Sequence, residues 1–90
     1  MQVSIVIFSQ DGVVQDAAVF RSEADAKEHI TYEAVKELER LAQTNGDQEA
    51  AQLAQRIRAK ATAEEAYELA LHWFADHEQL VSYLITTELQ

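Results

Sequence analysis

The sequence predicts an α+β fold: a small three-stranded antiparallel sheet in the chain order ββαααβ, with helices packed mainly on one face. Three observations carry that expectation. A segment rich in valine and isoleucine and a second rich in valine flank the dipeptide Asp11-Gly12, the middle of the chain holds three helical patterns with their own start signals, and the last stretch returns to alternation. Ninety residues suit one core, so residues 1–90 are expected to form a single domain.

Gln2 to Ser9 is dense in Val, Ile and Phe, which pack well on a pleated surface, and reads as the first strand. Asp11-Gly12 supplies the positive φ values that a two-residue type I′ turn requires, and Val13 to Phe20 returns as the second strand. Such a loop places Gln10 opposite Val13, Phe8 opposite Gln15, Val6 opposite Ala17 and Ser4 opposite Val19. One face then collects Val3, Ile5, Ile7, Val14, Ala18 and Phe20, interrupted by Asp16. The other collects Val6, Phe8, Val13, Ala17 and Val19, with Ser4, Gln10 and Gln15. Neither face is wholly polar, unlike a sheet with one wet side.

Ser22, with Asp25 three residues on, is an N-cap, and a helix is expected from about Glu23 to Gln43 with the stripe Ala26, Ile30, Ala34, Leu38 and Leu41. Glu23 and Lys27 form a favourable i, i+4 pair. Asn45-Gly46 stops the helix, because both residues tolerate the left-handed conformation. Asp47 caps a second helix to about Lys60, with apolar positions Ala50, Leu53, Ala54, Ile57 and Ala61. Extending that stripe would land on Glu64, Glu65 and Glu68, so the chain must turn near Thr62.

Thr62 with Glu65 has the capping-box spacing. From there to Phe74 the apolar residues Ala66, Tyr67, Leu69, Ala70, Leu71, Trp73 and Phe74 occupy most of a helical circumference, and Glu65, Glu68 and His72 form one narrow polar stripe. A helix of that composition is largely buried. It ends around Asp76 to Glu78. Leu80 to Leu89 alternates Val81, Tyr83, Ile85, Thr87 and Leu89 with Ser82, Thr86 and Glu88, and is the third strand.

Charge excludes more than it assigns. The net charge is −9; residues 1–60 hold all seven basic residues with ten acidic ones, and residues 61–90 hold six acids and no base. Phosphate backbones and anionic membranes repel such a surface, so neither nucleic acid nor membrane is an expected partner. Without cysteine there are no disulfides or thiolate metal sites. Met1 to Phe8 lacks a basic n-region and no run approaches the roughly 20 apolar residues of a membrane span, so a cytoplasmic location is expected.

Catalytic patterns are sparse. His72 and Asp76 at i, i+4, with His77 one position off that side, are the low-ranking candidates for a metal site, which normally needs three or four ligands in defined geometry. Both glycines are assigned to turns, which leaves no nucleophile elbow and no phosphate loop. Arg56, Arg58 and Lys60 read as counter-charge to nearby acids.

The expected function is therefore a small acidic non-catalytic interaction or regulatory module that self-associates, with no cofactor. The homodimer interface is expected on the set Val6, Phe8, Val13, Ala17 and Val19, since one apolar sheet face lacks cover within the chain. An alternative is an acidic inhibitor of the kind mobile elements encode, whose Glu64, Glu65 and Glu68 stand where a basic protein expects phosphates. A metal or small-ligand binder is a further alternative.

Overall fold

The computed structural model describes residues 2–10, 13–76 and 80–88. In chain order it contains β1 (Gln2–Gln10), β2 (Val13–Phe20), α1 (Glu23–Asn45), α2 (Gln48–Arg58), α3 (Ala63–Asp76) and β3 (Leu80–Glu88). The expected ββαααβ order and the α+β class are those observed. The three strands form one antiparallel sheet in the order β2-β1-β3, so the first strand is central and both later ones are edges.

Each helix starts where its side chains dictate. Ser22 Oγ accepts from the Asp25 N–H at 3.1 Å, Asp47 Oδ1 from the Ala50 N–H at 3.0 Å, and Thr62 Oγ1 from the Glu65 N–H at 3.2 Å. These bonds satisfy N–H groups that the first helical turn leaves without an intrahelical acceptor. Gly46, at φ 66°, ends α1 in the left-handed conformation that a residue with a Cβ adopts only at a cost. α1 runs two residues past the expected Gln43, to Asn45. α2 stops at Arg58, short of the expected Lys60, and the Ala59 N–H still bonds the Gln55 carbonyl at 2.9 Å.

Most of the anticipated stripe positions are buried; Val35 joins them from outside the expected α1 stripe, whereas Leu41 and Leu53 are only partly buried. Ala26, Ile30, Ala34, Val35 and Leu38 of α1, Ala50, Ala54 and Ile57 of α2, and Tyr67, Ala70, Trp73 and Phe74 of α3 meet in one core with Val6 of β1. Ala61, placed on the α2 stripe by periodicity, lies beyond the helix end and is exposed. α1 and α3 rest on the sheet, whereas α2 packs on α1 and α3. The Cα envelope measures 47 × 33 × 18 Å. Its short dimension holds a sheet and one helical layer about 10 Å apart, with no room for a third layer.

The register departs from the expected one. Gln10 is opposite Val13 and Ser9 opposite Val14, but the ladder then shifts: Phe8 is opposite Asp16, Ile7 opposite Ala17, Val6 opposite Ala18, Ile5 opposite Val19 and Ser4 opposite Phe20. Gln15 is the extra residue of a β-bulge, and a one-residue slip sends every later side chain of β2 to the opposite face. The Asp11-Gly12 turn itself lies outside the described residues. On the other side β1 pairs β3 without interruption, Val6 facing Leu84 and Ile5 facing Ile85.

Candidate functional site

The bulge decides which side chains the helices cover. Val6, Phe8, Ala18 and Phe20 share the covered side with Ser4, Leu84 and Thr86. Val6 is fully buried, while Phe8, Phe20 and Leu84 pack against the core. The Phe8 ring meets Phe74 of α3 at 5.8 Å and His29 of α1 at 5.9 Å, and Phe20 meets His29 at 5.0 Å between ring centroids. His29 Nε2 is buried among these rings without a hydrogen-bond partner. Ser4, the buried polar residue of this side, is satisfied: its Oγ lies 3.2 Å from Thr86 Oγ1.

The expected interface set is therefore split, which corrects the faces drawn above. Val6 belongs to the helix-covered core and Phe8, half-buried, packs against it. Ala17 and Val19 lie on the opposite side, and Val13, opposite Gln10 at the turn end of β2, is exposed. The physical reason is the bulge. An unbroken ladder would have put Ala17 and Val19 beneath the helices and turned Phe20 away; the extra residue brings both strand phenylalanines under α1 and α3 instead.

The opposite side of the sheet carries Val3, Ile5, Ile7 and Ser9 of β1, Val14, Ala17 and Val19 of β2, and Ile85 and Thr87 of β3. Exposure follows strand position. On the central strand Val3 is buried, though not part of the helix-side core, and Ile5 and Ile7 are half-buried between their neighbours. On the edge strands Val14, Val19 and Ile85 are 61%, 66% and 47% exposed. The charges of the strands lie elsewhere: Asp16 is opposite Phe8 and Glu88 opposite Gln2, both register positions of the helix-covered side. Contiguous apolar surface free of charge is the type of patch that marks an interaction site rather than a wet sheet face.

The other candidates are scattered. Glu64 is held by Lys27, whose Nζ lies 3.4 Å from it and 3.7 Å from Glu23. Burial works to lower the Lys27 ammonium, but the hydrogen bond it donates to Glu64 and the field of Glu64 and Glu23 hold it above the ordinary lysine value. The same ammonium sits 5.1 Å from the centroid of the Tyr67 ring, and burial raises the Tyr67 phenol. Glu65 and Glu68 are exposed. His72 is exposed beside Glu68, Leu71 and Ala75, Asp76 ends α3, and His77 lies outside the described residues. Among the described residues no three His, Asp or Glu side chains gather as metal ligands. Of the basic run, Arg58 is ion-paired with Glu39 of α1, beside a groove of about 540 Å³ walled by Tyr32 and floored by Val35 and Ile57. Among the described residues no helix is long and apolar enough to cross a membrane.

No family model matches this chain, and neither does any curated protein or any solved structure.

Proposed function

We propose that this protein is a non-catalytic interaction module of the cytoplasm that works as a homodimer, two copies meeting through their uncovered sheet faces. The observation that carries the proposal is the apolar side of Ile5, Ile7, Val14, Ala17, Val19 and Ile85, which no helix of the same chain covers and which bears no charge. A chain of net charge −9 meets its twin with least repulsion through a surface that holds none of those charges.

Area sets the size class of the contact. Three strands of eight or nine residues, about 4.8 Å apart and rising about 3.3 Å per residue, present roughly 400 Å² per copy. With side-chain relief, a face-to-face pair buries on the order of 1,000 Å² in total, the lower bound of specific interfaces. A contact of that size belongs with the small, exchanging interfaces. Acidic mimicry fits less well, because Glu64 is already engaged by Lys27.

Light scattering during size-exclusion chromatography tests this directly. A mass near twice 10.1 kDa at concentrations of some tens of micromolar supports it. A chain that stays monomeric at millimolar concentration removes it.

A further inference from the structure

We propose that ionic strength governs this dimer, which tightens as salt rises. The inference rests on the self-association reading and adds the condition that controls it. Each copy carries a net charge of −9, and the acidic residues lie overwhelmingly on the helices and their caps. Those on the strands, Asp16 and Glu88, occupy register positions of the helix-covered side. Among the described residues, the strands consequently offer that contact no charge for a cross-interface ion pair to set against the repulsion between the two molecules. Attraction is apolar and short-ranged, and repulsion is Coulombic and long-ranged.

Distance makes salt the deciding variable. A two-layer chain 18 Å thick stacked on its twin has its centre roughly 25 Å from the partner's. The screening length is about 30 Å at 0.01 M salt and about 8 Å at 0.15 M. At low salt the whole charge of one copy repels the other, whereas near physiological salt most of that repulsion is screened. Most interfaces built on opposite charges respond in the other direction, weakening as salt is added.

Sedimentation equilibrium in sodium chloride, on the wild type and on the triple variant Glu28→Gln, Glu68→Gln, Asp76→Asn, tests the inference. All three residues are exposed positions of the helices, and none lies on a strand. The wild-type Kd is expected to fall about tenfold or more between 0.01 and 0.15 M salt. The triple variant lowers the net charge from −9 to −6, so it should dimerise more tightly than wild type at low salt and respond less to salt. A Kd that is flat or rises with salt overturns the inference while leaving the dimer in place. An unchanged salt slope in the triple variant overturns it too, by assigning the effect to general salting-out. A chain monomeric at every salt and at millimolar concentration removes the dimer reading itself, and this inference with it.

Discussion

Val19 of β2 stands opposite Ile5 of β1 on the side of the sheet that no helix covers, and it is 66% exposed although its neighbours are apolar. Three positions away along β1, Phe8 points the other way, into the rings of His29 and Phe74. This opposition separates association from folding by mutation. Val19→Glu should leave the chain folded, within about 1 kcal/mol of wild type, because it changes an exposed edge-strand side chain. It should abolish the dimer. Phe8→Glu should unfold the chain by placing a carboxylate without a partner in the core. Light scattering and urea denaturation read both; a Val19→Glu dimer of wild-type strength would remove the uncovered face as the interface.

Trp73 is 5% exposed and its ring packs at 5.0 Å from Phe74. Trp73→Ala should cost about 3–5 kcal/mol, enough to unfold much of a domain this small. A loss below about 1 kcal/mol in chemical denaturation would mean that the ring contributes little to the core.

Deleting Gln15 should be tolerated. The deletion removes the extra residue of the bulge and still leaves Phe8 opposite Asp16 and Ile7 opposite Ala17, so both phenylalanines stay beneath the helices. The stability change should be within about 1 kcal/mol. Insertion of one residue after Gln15 moves the rest of β2 by one position, exchanges Val19 and Phe20 between the faces, and should destabilise far more. Equal effects of the two changes in thermal unfolding would show that the register does not select the face.

Alkaline pH should loosen the junction of α1 and α3. Burial raises the Tyr67 phenol, and Glu64 and Glu23 outweigh the burial that lowers the Lys27 ammonium, so the folded state binds both protons more tightly than the unfolded chain. Stability from both groups is complete below their ordinary values near 10.0 and 10.5 and is lost as pH rises through the raised ones. Tyr67→Phe should remove the phenol's share of that loss while keeping the ring beneath Lys27. Denaturation midpoints of wild type and variant between pH 8 and 11 check this, and curves that stay parallel throughout would contradict it.

Capping and amphipathic stripes were legible because they are local. Ser22, Asp47 and Thr62 bond N–H groups three residues along the chain, and the stripe from Ala26 to Leu38 repeats each turn, so a linear reading finds them. The alternation of Val3, Ile5 and Ile7 against Ser4, Val6 and Phe8 is equally local, and within β1 each half of it holds. What the chain alone left open is how β2 aligns with β1, since both an unbroken ladder and a bulged one satisfy a short turn. Tertiary packing decides it. α1 and α3 offer a surface that takes Phe8 and Phe20 together, and only the extra residue at Gln15 brings both to that side while sending Ala17 and Val19 to the other. Strand alternation and three helices in series were enough to expect one sheet face without cover; the packing of two phenylalanines under the helices decided which one.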